Sequence, residues 1–241
     1  MKPGLVAAAL LALAALACRG EGQAPVAPDA PPEGSTAKPS LALLTSLPLA
    51  FAEGLTLEAP AHPAMTALEG QFDVRLIDGP AQLPARGLLL AAQPRALTAE
   101  RLVELDRWVR EGGRMVLLAD PMLEWESERP LGDTLRLPPA FQDTGLLQHW
   151  GLTLFAPAER GPRIGRIGDQ EVLTSSPGSL TVAAGQCRVE EGSLVARCRL
   201  GRGQVMVVAD ADFLHLAGEG ALDGPTGRNL PALMDLLQRL R

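Results

Sequence analysis

The side chains that could do chemistry stand at the ends of aliphatic runs. RMVLLAD (114–120) closes on Asp120, and QVMVVAD (204–210) closes on Asp210 with Asp212 two residues beyond. GLLLAA (87–92) leads to Gln93, and LALLTS (41–46) ends in Thr45 and Ser46. If each run is a strand of an open α/β sheet, all six residues fall at the carboxyl edge, where such sheets bind ligands. Thr45, Ser46, Gln93, Asp120, Asp210 and Asp212 are therefore the candidate ligand or partner pocket, polar and acidic in character. An Asp in that place also caps the turn that follows it, so capping, ligand contact and acid/base chemistry stand side by side for Asp120 and Asp210. Two carboxylates brought close would suit a divalent cation, but spacing alone does not bring them together.

Several kinds of catalysis lack their residues. A nucleophile elbow needs Ser or Cys in the tight turn after a strand, and the turn here reads Asp120-Pro121-Met122. Of the histidines, His62, His149 and His215, none stands at metal-ligand spacing, and only His215 is placed to act as a base. Gly112-Gly113 precedes a strand instead of opening a helix, so no dinucleotide or phosphate loop is formed. The only lysines are Lys2 and Lys38, which leaves no Schiff-base or P-loop lysine beyond position 38. No catalytic residue, cofactor or metal is expected, and the chain reads as a non-enzyme. With 22 basic against 28 acidic residues the net charge is −6, which argues against a nucleic-acid partner. The 241 residues are 46% hydrophobic, enough for a sizeable core in one or two domains.

The N-terminus carries a different message. Lys2, the apolar run Leu5 to Leu16 and the sequence Ala15-Leu16-Ala17-Cys18 have the layout of a secretory signal peptide over 1–17. The run is shorter than the ~20 residues that span a bilayer. Ala15-Leu16-Ala17-Cys18 also resembles a bacterial lipobox, which makes Cys18 the candidate lipidation site and the bilayer a partner. Ordinary cleavage after Ala17 and an uncleaved anchor remain the alternatives. Either cleaved form is a periplasm-facing envelope protein, and Arg19 after the cysteine leans towards the outer membrane. Residues 18–40, with five prolines and no Leu, Ile or Phe, form a tether that reaches up to ~65 Å when extended at roughly 3 Å per residue.

These side chains must be held by a fold. The runs 41–46, 73–77, 87–92, 114–120 and 204–210 predict strands, the last three apolar enough for burial on both faces of a parallel sheet. Between two of them, Thr98 as N-cap, Leu102, Leu105 and Val109 on one face and Gly112-Gly113 at the end predict a helix. Strand, helix and strand over 87–120 make a right-handed crossover. Leu230, Leu233, Met234, Leu237 and Leu240 predict a closing amphipathic helix. Residues 124–200 predict a β-rich antiparallel insertion, with a helix through Phe141 to Trp150 and short strands near 152–155, 163–167, 171–174, 179–184 and 186–199. The expectation is a single α/β domain over 41–241: a Rossmann-like or flavodoxin-like, mostly parallel sheet with helices on both faces.

In GQCRVEEGSLVARCRLG a two-residue type II′ turn at Gly192-Ser193 places 189 opposite 196, 188 opposite 197 and Cys187 opposite Cys198. Opposed strand residues are within disulfide reach, and an exported chain meets an oxidising compartment. A Cys187–Cys198 disulfide is expected. The alternatives are a reduced pair or a metal site, the latter without a histidine at ligand spacing.

WVREGGRMVLLADPML (108–123), the segment leading into it, LLQHWGL (146–152) and GRGQVMVVADADFL followed by Gly227-Arg228-Asn229-Leu230 resemble the GldG-type family of ABC-transporter auxiliary proteins. TSLPLAFAEG (45–54) is similar to the opening strand and loop of its members. The resemblance implies a Rossmann-like domain related to class I glutamine amidotransferases, without their catalytic cysteine, beside an ABC transporter or other envelope protein. Asp120 then stands where that fold keeps its nucleophile. Two other functions remain to be weighed: a diverged amidotransferase-like hydrolase using Asp120, Asp210 or His215, and a carbohydrate-binding lipoprotein. With three Trp and no Tyr, stacking platforms for a sugar are scarce.

Overall fold

The structure, a computed structural model, describes residues 38–51, 53, 61–219 and 228–241. The signal peptide, Cys18, Gly227 and most of the tether lie outside these residues. The strands are β1 (Ser40–Thr45), β2 (Asp73–Leu76), β3 (Leu88–Ala92), β4 (Arg114–Leu118), β5 (Leu152–Phe155), β6 (Pro162–Ile167), β7 (Gln170–Ser175), β8 (Ser179–Val182), β9 (Cys187–Val189), β10 (Val195–Leu200) and β11 (Gly203–Val208). The helices are α1 (Pro63–Gln71), α2 (Ala99–Arg110), α3 (Leu146–His149), α4 (Asp212–Glu219) and α5 (Asn229–Gln238).

Seven strands form one sheet in the order β2-β1-β3-β4-β11-β10-β9. The first five run parallel, and β10 and β9 continue the sheet antiparallel. All five residues of β3 are buried, as a strand covered on both faces requires. One layer consists of α1, α4 and α5, which touch one another; α2 packs towards β11. The fold is thus α/β and Rossmann-like, with a mostly parallel central sheet.

Helix α2 begins at Thr98, whose Oγ1 accepts from the Arg101 N–H at 3.5 Å, and ends in a paired main-chain cap. Gly112 N–H donates to Val109 O and Gly113 N–H to Trp108 O. Gly112 takes φ 118°, open to glycine with little strain, while a Cβ on Gly113 would lie 2.4 Å from the Trp108 ring. The Trp108 indole N–H is fixed by Pro84 O at 2.7 Å, so the end of the helix is set before β4 starts.

The 124–200 segment divides its strands among three sheets. Strands β5 and β8 pair with each other, β6 and β7 pair with each other, and the β9–β10 hairpin joins the central sheet. The expected helix through Phe141 to Trp150 is shorter: only Leu146–His149 is helical. Gly145 sits at φ 101°, and the Asp143 carboxylate accepts from the N–H groups of Gly145 and Leu147, so the helix cannot extend back to Phe141. Lys38, read from sequence as tether, donates its ammonium to Glu69 O at the end of α1.

Cys187 and Cys198 are joined by a disulfide, and β9 and β10 have the expected register. The turn differs from type II′. Gly192 (φ 83°) and Ser193 (φ 59°) both have positive φ, whereas type II′ allows that only at the first central residue. Ser193 N–H donates to Glu190 O, and Glu190 N–H donates to Val195 O, so the loop is wider than two residues. Leu194 O faces β11 and accepts from Ala209 N–H, so it does not close a tighter turn with Glu191.

Candidate functional site

All six residues expected at the carboxyl edge stand there, and hydrogen bonds link Ser46, Gln93, Asp120 and Asp212 to one another. Thr45 Oγ1 donates to Ala92 O at 2.9 Å and accepts from Leu47 N–H, tying the end of β1 to that of β3. Ser46 Oγ donates to Gln93 O. Gln93 turns out of β3 into the left-handed region at φ 45°, a conformation uncommon for a side-chain-bearing residue. Its amide then reaches β4: Nε2 donates to Asp120 O at 3.1 Å, and Oε1 accepts from Asp120 N–H at 2.9 Å.

Asp120 uses both carboxylate oxygens on main-chain donors. Oδ1 accepts from Met122 N–H at 2.8 Å. Oδ2 accepts from Ala211 N–H at 2.8 Å and Asp212 N–H at 3.3 Å, so it clamps the turn after β4 to the turn after β11. Asp210 Oδ1 accepts from Phe213 N–H at 2.8 Å at the start of α4, and Asp212 Oδ2 accepts from Glu124 N–H at 2.8 Å. Gln93, Asp120 and Asp210 are 0% exposed and Asp212 is 1% exposed. Among the described residues the remaining oxygens, Asp210 Oδ2 and Asp212 Oδ1, are buried without a hydrogen-bond partner.

Three carboxyls so close, and out of water, favour the neutral form. Burial pushes Asp120 up to about 6, against the opposing pull of its main-chain donors. Asp212 is pushed up to about 7, by burial first and then by the charge of Asp120. Asp210 is raised well above the usual range, also by burial first and Asp120 second. The arrangement suits holding protons more than holding a cation. Among the described residues no set of three or more His, Cys, Asp or Glu side chains converges as a metal site.

Sequence reasoning missed the neighbours that complete this cluster. The hydroxyls of Ser175 and Ser176, at the end of β7, donate to the two oxygens of Glu124 and hold its carboxyl below the usual range. Ser176 is fully buried at φ 46°, and its Oγ accepts from Gly161 N–H at 2.9 Å. Trp125 lies between two histidines: its ring is 5.1 Å from that of His62 and stacked 4.8 Å from that of His215. The only signal for Ser176 in sequence is its place before Pro177-Gly178, a turn mark that says nothing of Glu124. For His62 it is the following Pro63, since His62 is the N-cap of α1 and its Nδ1 accepts from Ala64 N–H at 3.1 Å.

The crevice at the strand ends is occupied by the chain itself. Phe141 N–H donates to Asp120 O, and Leu123 N–H donates to Pro139 O. Glu53 holds the outer part of this covering, accepting from Ser127 Oγ and Glu128 N–H, while its carbonyl accepts from Arg129. On its surface Leu131 is 89% exposed and Leu135 56% exposed. The nearby groove lined by Arg95, Leu131, Arg136 and Pro138 has a volume of about 530 Å³.

No protein-family model matches the chain, and no curated protein matches it in sequence. Solved structures match it at low sequence identity. A GH42 beta-galactosidase from G. stearothermophilus, in a catalytic-mutant form, matches at 15% identity and TM-score 0.50 over 85% of this chain and 30% of that one. An exo-beta-1,4-mannosidase from an Opitutaceae bacterium matches at 13% identity and TM-score 0.49, over 83% of this chain and 36% of that one. A ThuA-like protein from Bacteroides uniformis matches at 10% identity and TM-score 0.46, over 88% of this chain and 94% of that one. At 15% identity the first of these likenesses is one of fold alone, and the chain spans about a third of the length of the glycosidases it matches.

Proposed function

We propose that the chain is a non-catalytic, periplasm-facing protein, tethered to the membrane through Cys18, that binds a partner or ligand and assists an ABC-type transporter or another envelope complex. The observation that carries this reading is the condition of Asp120. Where a hydrolase of this fold would keep a reactive group open to substrate, both of its oxygens are spent on main-chain N–H groups and it has no exposed surface. An acid/base group must reach the proton it moves, and the carboxyl edge here is a clamp. Leu131 and Leu135 add two exposed apolar side chains on the segment that covers this edge, and this reading assigns them to contact with another protein.

The test is purification of the full chain from its own membranes in a mild detergent that preserves complexes. A transporter permease or ATPase retained with the chain, and lost when Leu131 and Leu135 are both replaced by Ser, is the expected result. Recovery of the chain with no membrane protein overturns the reading.

The diverged-hydrolase reading is favoured by one feature, the two unpartnered oxygens Asp210 Oδ2 and Asp212 Oδ1. Asp120→Asn separates the two: loss of a measured hydrolysis with unchanged stability favours the enzyme, and loss of stability alone favours the clamp.

A further inference from the structure

The disulfide hairpin carries charge that its role at a sheet edge does not explain. The register of β9 and β10 sets Arg188 directly opposite Arg197, and Arg199 follows two residues on, on the same face. Like charges directly opposed across strands are destabilising. These three and Arg239, beyond the end of α5, line a groove of about 550 Å³ whose other walls include Val205 and Met206. That volume lies in the usual range of small-ligand sites, about 300–1,000 Å³.

The charges divide into two pairs. Arg197 is bridged to Glu190, and Arg239 to Asp235 and, at longer range, to Asp169. Among the described residues the guanidinium groups of Arg188 and Arg199 have neither an ion pair nor a hydrogen bond. A chain of net charge −6 thus presents two unneutralised guanidinium groups on one concave face. Two such forks suit an oxyanion that accepts bidentate hydrogen bonds. A phosphate monoester, with a charge of about −1.5 to −2 at neutral pH, balances them.

We propose that this groove binds a phosphate monoester, with Arg188 and Arg199 on the phosphate oxygens and Arg197 and Arg239 held beside them by their carboxylate partners. This rests on the reading of the chain as a ligand- or partner-binding protein. The phosphate has two sources of the same chemistry, a soluble ester or the headgroup of an acidic lipid.

The experiment titrates the full chain, disulfide intact, with glycerol 3-phosphate by calorimetry. In parallel, the chain is sedimented with phosphatidylcholine vesicles with and without phosphatidic acid, so that anchor binding cancels between compositions. Binding in the first arm identifies a soluble ester, and a preference for phosphatidic acid in the second identifies a headgroup; either supports the site. Arg188→Ala and Arg199→Ala should each weaken binding by about tenfold or more, while Arg166→Ala, on β6, leaves it unchanged. Binding in neither arm, or binding that survives the Arg188→Ala/Arg199→Ala double substitution, overturns the proposal. If a membrane partner is still retained in that case, the functional reading stands without it; phosphate binding with no retained partner overturns the transporter role instead.

Discussion

The side-chain amide of Gln93 pairs with both main-chain polar groups of Asp120, donating to its carbonyl at 3.1 Å and accepting from its N–H at 2.9 Å. The pairing of β3 with β4 is in effect continued one step by a side chain. The left-handed turn at Gln93 has taken its own backbone out of line, and the amide replaces the lost ladder. Gln93 N–H still donates to Leu118 O, so the two strand ends are locked together before either loop departs.

Gln93→Ala should therefore be severely destabilising. It leaves the Asp120 N–H buried without an acceptor, a cost of about 1–3 kcal/mol, and it opens a cavity beside β4. A loss of roughly 3 kcal/mol in urea unfolding is expected. A loss below about 0.5 kcal/mol would show that the paired amide contributes nothing.

Asp120 and Asp210 should respond oppositely to the same substitution. Asp120→Asn replaces one acceptor oxygen by an NH₂ group that faces main-chain donors, which costs about 2 kcal/mol or more. Asp210→Asn retains an acceptor for Phe213 N–H and places its neutral NH₂ where Oδ2 has no partner. It should leave stability unchanged or raise it, since the neutral amide cannot take on the charge that burial disfavours at Asp210. Equal destabilisation by both, read from thermal unfolding, would rule out the distinction between clamp and proton holder.

The raised carboxyls set a direction for the pH dependence. Between the unfolded value near 3.8 and the folded values of about 6 for Asp120 and about 7 for Asp212, the native state holds protons that the unfolded chain has lost. Their contribution is complete below the unfolded value and is lost as pH rises through the folded one, with a limiting slope of about 1.4 kcal/mol per pH unit for each group. Asp212→Asn should flatten the decline in stability between pH 4 and 7. An unchanged slope in that variant contradicts the assignment.

The parallel core was legible in the sequence because its signals are local. Runs such as RMVLLAD and QVMVVAD need no partner to be read as buried strands, and Thr98 with Gly112-Gly113 bounds α2 by its own caps. The register that joins Cys187 to Cys198 was likewise readable from the hairpin, but its turn type was not. The hydrogen-bonded pair that closes the loop is Glu190 with Val195, while Leu194 O turns to Ala209 just beyond β11, an alternation that the pairing of residues alone does not reveal. The carboxyl edge was legible as a set of residues and not as an environment. Periodicity places Asp120, Asp210 and Asp212 together; it does not show that Phe141 and Leu123 close over them, or that Glu124 is held by two serines some fifty residues away.

Reduction of the Cys187–Cys198 bond should cost roughly 2–3 kcal/mol, since it closes a short loop in the unfolded chain. The pair lies at the far edge of the sheet from β1 and β2, so the fold should survive with a lower unfolding midpoint. Urea curves with and without reductant measure this directly, and coincident curves would show that the bond carries no stability.

Trp125 lies between His62 and His215, and this stack should govern the acid side of the pH profile. His62 is held down to about 4, by burial first and by His215 second, and its neutral Nδ1 accepts the first free N–H of α1. Protonation fills that lone pair, so acid removes the cap and buries a charge at the same step. The native state here binds fewer protons than the unfolded chain, so this contribution is intact above the unfolded value near 6.5 and is lost as pH falls towards 4. It opposes the carboxyl effect over the same window, and only a variant can separate them. His62→Asn keeps a good N-cap acceptor before Pro63 and removes the titration. Its stability relative to the parent should rise steadily from pH 6.5 to 4, and helix-sensitive circular dichroism at pH 4 should show α1 better retained. If parent and variant keep a constant difference across that range, the stack does not report on acid and His62 is a cap alone.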